Sequence, residues 1–481
     1  GDPVAADLTN ADLAPTPPAQ RTWNLWHIAS LWVGMSVCIP SYMLASAMIG
    51  AGLGWRTSLL AVVVGNAIVL VPMVVNAHAG TRYGIPFPVF ARAAFGIRGT
   101  HVPSVLRAVV ACGWFGIQTW VGGLAIHALL GSTWPGFREL GAEWRFMDHS
   151  AAEFLSFGIF WVINLYFVWA GTESIKWLET VSAPVLIALS LALLAWGASA
   201  AGGVGAMLAG ADRLETTGGS RAPLATLLPW ITAMVGYWAT LSLNIPDFTR
   251  FARSQRDQVV GQALGLLTTM PFIAFVGVAV TGATVVAFGE PVWNPVDLLA
   301  RLAGQSGSPL LGIVAMAAVL VATLTTNIAA NIVAPANSFS NLAPARISFR
   351  TGGLIAGALG VAILPWALLD RYQTWLISYS GLLGAVGGVL LADYVVIRRG
   401  VLDVADLYAE AGRYRYDNGV NPAALVATVA GIIVALAGLV VPGWRLLFDG
   451  AWFSAAIASA VVYLALMRRQ SAARPLSRER S

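Results

Sequence analysis

Apolar runs of twenty residues or more recur along almost the whole chain, from residue 27 to residue 467. A helix needs about 20 such residues to cross a hydrocarbon core, where every backbone polar group must be satisfied within the segment. The recurrence therefore dictates an all-α bundle of membrane-crossing helices. Composition agrees: mean hydropathy is +0.72, and 11% of the 481 residues are charged, against about 25% in soluble domains. Soluble enzymes, nucleic-acid-binding proteins and disordered chains are excluded. The +5 net charge is read as a topology signal, with no nucleic acid as partner.

Twelve spans fit this ruler: 27–53, 57–79, 102–130, 153–171, 174–199, 224–246, 259–288, 309–334, 353–369, 373–397, 422–442 and 451–468. An even number puts both termini on one side. If that side is cytoplasmic it holds nineteen of the 28 basic residues and the other side eight, Arg107 near a helix end being the remainder. This bias predicts cytoplasmic termini and a multi-pass protein of the inner or plasma membrane. Residues 1–26 and 469–481 read as frayed tails on one membrane domain, 27–468, since the loops 132–152, 200–223 and 398–421 are too short to bury cores of their own. The first tail lacks the features of a signal peptide, so insertion is expected to begin with span 1. Cys38 and Cys112 lie in apolar stretches and read as small core residues, not as a disulfide framework.

Two spans are interrupted. Span 1 carries Pro40 in mid-span with Gly34 upstream, and proline removes a donor and clashes with the carbonyl four residues back. Span 6 carries Gly236 near its middle, with Pro229 and Pro246 towards its ends. Singly, such residues make kinks. Paired at matching places in two five-helix halves, they predict an inverted repeat with a site at the bilayer midplane. The halves are 27–199 and 224–397, with the helices of 422–468 as additions.

Polar side chains cluster at the same depth. Trp114 and Gln118 share a face of span 3, and Asn327 and Asn331 a face of span 8 beside Thr325 and Thr326. Each amide alone could be interhelical glue, but unpaired amides cost several kcal/mol in hydrocarbon. No Asp, Glu, Lys or Arg lies in the middle of spans 1, 3, 6 or 8. Amides that donate and accept, with indole faces that stack, suit a neutral planar ring such as a nucleobase or cyclic urea. Carbonyls of a broken span 1 and the hydroxyls of Thr325 and Thr326 suit Na⁺.

At these residues the chain resembles nucleobase:cation symporter family 1, the hydantoin, cytosine, uracil and allantoin permeases. The likeness runs from NADLAPTPPAQRTW through GIPFPVFARAAFGIRG, GWFGIQTW, NIPDFTRFA and TTNIAAN to DYVVIRRG. It implies a leucine-transporter-like fold: a five-plus-five inverted repeat with broken helices 1 and 6 and two extra helices. It further implies that Trp114 and Trp238 hold the substrate ring between them, that Gln118 and Asn331 hydrogen-bond it, and that Na⁺ is held by carbonyls of Gly34, Val37 and Ala322 with the hydroxyls of Thr325 and Thr326. No cofactor is implied beyond this coupling ion.

Two positions depart from the hydantoin permease. Cys38 stands where it has a glutamine, and Tyr237 where it has a glycine; Tyr237 either replaces a hydrogen bond or packs. The resulting expectation is a monomeric symporter, not an enzyme, importing uracil, a purine base, allantoin or a hydantoin with Na⁺. Coupling to H⁺, and a sensor or channel of the same fold, are the rivals.

Overall fold

The computed structural model describes residues 8–9, 13–170, 172–215, 224–306, 309–342 and 346–473. The outer parts of both tails, residues 1–7 and 474–481, and the loop stretch 216–223 lie outside the described residues. The described residues are mostly helical, with a short antiparallel hairpin pairing Arg145 with Ser150 and Phe146 with His149.

Span 1 is two helices, α1 (Leu25–Ser36) and α2 (Ile39–Gly50), bent by 59° at the intervening pair. Pro40 sits in the first turn of α2, where its missing donor costs nothing, so the break falls just before the proline. There follow α3 (Trp55–Tyr83), the short α4 (Phe87–Phe95), α5 (His101–Thr133), α6 (Ala151–Ala170), α7 (Thr172–Ala201) and the short α8 (Val204–Asp212).

Span 6 is α9 (Leu224–Tyr237) and α10 (Ala239–Asn244), interrupted at Trp238, with α11 (Pro246–Thr249) beyond. The break lies two residues past the glycine that predicts it. Next come α12 (Gln255–Phe288), the amphipathic α13 (Pro295–Ser306), and α14 (Pro309–Asn327), which runs through a wide π turn at Ile328–Ile332 into α15 (Val333–Leu342). Then follow α16 (Phe349–Ala362), α17 (Pro365–Asp370), α18 (Tyr372–Leu391), α19 (Val404–Leu407), α20 (Pro422–Val440), α21 (Arg445–Asp449) and α22 (Ala451–Ala473).

Among the described residues nine helices are long and apolar enough to cross a bilayer, and the bent α1–α2 pair makes a tenth. The other two expected spans, the sixth and the ninth, are filled by α9 and α16, each too short to cross alone. In the ninth, Leu364 adopts a left-handed conformation ahead of Pro365 and splits the segment.

The two additional helices, α20 and α22, pack on each other and on α18. Glycines permit the approach: a Cβ on Gly384 would lie 2.6 Å from the Trp452 carbonyl oxygen, the close backbone contact that small residues give membrane helices. The described part of the N-terminal stretch, expected to fray, is docked instead. The Thr16 amide donates to Gly84 (2.8 Å), and Trp23 exchanges backbone hydrogen bonds with Phe251 and Arg253.

Candidate functional site

At the break in span 1 the Cys38 amide turns to the carbonyl of Ser36 (3.0 Å). A continuous helix would have given that amide to Gly34, so the Gly34 carbonyl is released. At the break in span 6 the Gly236 carbonyl accepts the hydroxyl of Tyr379 (2.7 Å). Tyr372, seven residues earlier on α18, donates to the carbonyl of Pro40 (3.1 Å). One stripe of α18 thus supplies hydroxyls to both interrupted helices.

A cavity of about 410 Å³ lies between these breaks. Along α5 it is lined by Arg107, Ala111, Trp114 and Gln118, on the opposite side by Thr325, Thr326, Asn331 and Ala334, and at the breaks by Gly34, Cys38, Tyr237 and Trp238. It extends to Trp23 and Phe248, on the side of the docked N-terminal stretch.

The aromatic wall is fixed by hydrogen bonds behind it. Trp114 Nε1 donates to the Tyr379 hydroxyl (3.2 Å) and Trp238 Nε1 to Asn66 Oδ1 (2.9 Å). Both indole N–H groups are thereby spent on the protein, and only ring surface remains for a ligand. Tyr237 contacts both indoles edge-on, with centroids 5.0 Å from Trp114 and 4.8 Å from Trp238. Its hydroxyl lies 2.8 Å from Ser41 Oγ and 3.2 Å from Cys38 Sγ. The phenol therefore both packs and hydrogen-bonds, and Cys38 is a cavity-lining residue rather than inert core; Cys112 is fully buried core.

The amides divide into two roles. Gln118 lines the cavity, and its buried Oε1 has no partner among the described residues; an unmet buried acceptor costs about 1–3 kcal/mol. Asn331 lines the cavity as well, while its Nδ2 donates to Asn327 Oδ1 (3.1 Å). Asn327 does not line it. Its amide group lies 3.3 Å from the Phe115 carbonyl, 3.0 Å from Thr119 Oγ1 and 3.1 Å from Asn164 Oδ1. Asn327 is placed to orient Asn331 rather than to touch a ligand.

Of the candidate cation ligands, Gly34, Thr325 and Thr326 border the cavity, while Val37 and Ala322 are buried outside its lining. Both threonine hydroxyls donate to the Ala322 carbonyl, at 2.9 and 3.0 Å, which leaves their lone pairs available. The hydroxyl of Ser36, beside the break, is buried without a partner among the described residues. These are neutral oxygens, and no cluster of three or more His, Cys, Asp or Glu occurs among the described residues.

Several residues that support or line the cavity escape the sequence reading. Tyr372, Trp375 and Tyr379 form a helical stripe that packs behind Trp114 and outside the cavity lining, with a spacing visible in the sequence. Arg107 reads as a helix-end residue, yet it is 4% exposed and lines the cavity.

Comparison with known proteins agrees with this architecture. A model for permeases of cytosine/purines, uracil, thiamine and allantoin matches residues 15–454. The chain is 44% identical to the purine-uracil permease NCS1 of Arabidopsis thaliana, across 96% of this chain and 78% of that one. It is 39% identical to the allantoin permease of Bacillus subtilis, across 96% and 93%. Among solved structures, the inward-facing conformation of Mhp1 superposes with a TM-score of 0.80 at 27% identity, covering 99% of this chain and 97% of that one. Mhp1 closed around bromovinylhydantoin, a nucleobase-cation-symport-1 transporter, gives 0.75 at 26%, covering 98% of each. With broken spans around an aromatic-walled cavity and these matches along nearly its full length, the chain belongs to the nucleobase:cation symporter family 1, and it is a membrane permease, not an enzyme.

Proposed function

We propose that this permease imports a neutral nucleobase or related cyclic ureide, such as uracil, a purine base, allantoin or a hydantoin, driven by an inward Na⁺ gradient. The observation that carries the reading is the pairing of ring surface with unspent amide groups. Trp114 and Trp238 offer faces but no N–H, while Gln118 Oε1 lacks a partner among the described residues and Asn331, with one N–H given to Asn327, keeps a second N–H and its carbonyl oxygen for a ligand. A planar ring with N–H and C=O groups on its edge supplies what both lack.

Na⁺ takes the released Gly34 carbonyl, the carbonyls of Val37 and Ala322, and the hydroxyls of Thr325 and Thr326. Ion and ring then favour the same arrangement of the span 1 break, so each tightens binding of the other. The basic-residue bias puts the tails, and with them the Trp23 end of the cavity, in the cytoplasm of a cell bounded by this membrane. The cavity is then open inward, in line with the likeness to inward-facing Mhp1. The protomer contains the whole site, and a monomer suffices.

Proteoliposomes test both parts. Labelled uracil, hypoxanthine, allantoin and hydantoin are offered with a Na⁺ gradient alone and with a pH gradient alone. Concentrative uptake of at least one ring under the Na⁺ gradient is expected. Uptake that persists undiminished when only the pH gradient remains transfers the coupling to H⁺.

A further inference from the structure

Arg107 is a buried guanidinium in a membrane helix that the site above leaves without a task. Holding such a charge away from water costs several kcal/mol unless it is compensated. The carboxyl of Asp247 attracts it at longer range, but the oxygens of that carboxyl are already engaged, Oδ1 by the Phe87 amide (2.7 Å) and Oδ2 by Asn244 Nδ2 (3.3 Å). Arg107 itself makes one hydrogen bond among the described residues, a long one from Nη2 to Ser338 Oγ (3.3 Å), and its Nε has no partner. Asn244, also on the cavity wall, keeps a buried Oδ1 without a partner among the described residues. A strong donor and a good acceptor thus line one cavity unspent, each linked to the same Asp247.

Position adds to chemistry. Residues 107, 111, 114 and 118 make one stripe of α5, all of it on the cavity wall. At 1.5 Å per residue, Arg107 lies about 10 Å along the axis from Trp114, beyond the reach of one small ring held against that indole. The opposite wall keeps the same register, with Asn331 and Ala334 lining the cavity and Ser338 next along the stripe, bonded to Arg107. A volume of about 410 Å³ is of the size that takes drug-sized ligands, more than one nucleobase fills.

We propose that Arg107 and Asn244 form a second binding subsite, two helical turns from Trp114 towards Trp23, that takes a neutral cyclic imide or ureide by one C=O and one N–H on its edge. Arg107 donates to the carbonyl oxygen and Asn244 Oδ1 accepts from the ring N–H. The subsite rests on the reading of the cavity as the path of such rings, and it gives a ring leaving the indoles a place to stop before the cavity mouth.

Equilibrium dialysis of labelled uracil and allantoin against the purified full chain in lipid nanodiscs tests it. The native protein is expected to give two binding phases. Trp114→Ala should remove one, while Arg107→Gln and Asn244→Ser should each weaken the other by about tenfold or more, the worth of a hydrogen bond to a charged or buried group. A single phase in the native protein, or an Arg107→Gln variant that keeps both phases or loses both, overturns the subsite. Should Arg107→Gln fail to melt cooperatively, Asn244→Ser, which leaves the charge in place, decides by the same criterion. Native protein that binds neither probe in any phase overturns the reading of the cavity itself, a result seen before any substitution is made.

Discussion

The hydroxyl of Tyr237 lies 2.8 Å from Ser41 Oγ, so one side chain at the break of span 6 is fastened to the first turn past the break of span 1. Cys38, 3.2 Å from the same hydroxyl, completes the contact. Cys38 and Tyr237, the two positions singled out in the sequence as departing from the resemblance, therefore belong to one clasp.

Tyr237→Phe keeps the ring contacts with the two indoles and deletes the clasp. A loss of about 1 kcal/mol is expected, read as a lower thermal midpoint of the purified protein. An unchanged midpoint would show that the hydroxyl contributes nothing to holding the breaks together.

Tyr379→Phe should cost more. It strands two buried groups, the Trp114 indole N–H and the Gly236 carbonyl, and each stranded group costs about 1–3 kcal/mol. Thermal denaturation alongside Tyr237→Phe gives the comparison, and tryptophan-fluorescence titration should show weakened ligand binding through a loosened Trp114.

Asn327→Leu and Asn331→Ala separate framework from contact. The first leaves Asn164 Oδ1, Thr119 and the Asn331 amide without their shared partner, with an expected loss of about 2–3 kcal/mol. The second strands only Asn327 Oδ1 and should abolish measurable uptake at a smaller cost in stability, about 1 kcal/mol. Melting and uptake measured on both variants check the division; equal effects on stability would refute it.

Gly384→Ala places a Cβ 2.6 Å from the Trp452 carbonyl oxygen, a contact that must be relieved by moving α22 off α18. Overpacking of this kind costs about 1–3 kcal/mol. Protease susceptibility of the C-terminal helices in bilayers should rise, while Gly34→Ala, with nothing near its Cβ, should leave them protected.

Much of this architecture is legible in the sequence because hydrocarbon allows few solutions. Long apolar runs had to be helices, and Pro40 had to sit at a helix start or a break. The position of the break could be read only approximately, since it depends on Tyr372 reaching the Pro40 carbonyl from 332 residues away. Asn327 and Asn331 look equivalent in sequence, four apart on one face. What separates them is the helix that each meets, α5 and α6 for Asn327 and open cavity for Asn331, and no local pattern encodes that. Arg107 was misplaced for a related reason: six residues into α5 it counts as terminal by position, but α15 and the α10–α11 corner cover it.

The carbonyl of Gly236 lies where α9 gives way to α10, and the phenol that caps it also carries the ring wall. Tyr379 donates to that carbonyl and accepts from the Trp114 indole N–H, so one hydroxyl joins a backbone bend to an aromatic face. With two lone pairs, the same carbonyl has room for the amide of Thr240, its partner in an unbroken helix, so the phenol is not obliged to leave if the segment straightens. A shift of α9 that carries Gly236 with it therefore draws on Tyr379, and through Tyr379 on the indole. Hinge and wall are tied by a single oxygen that gives one proton and takes another.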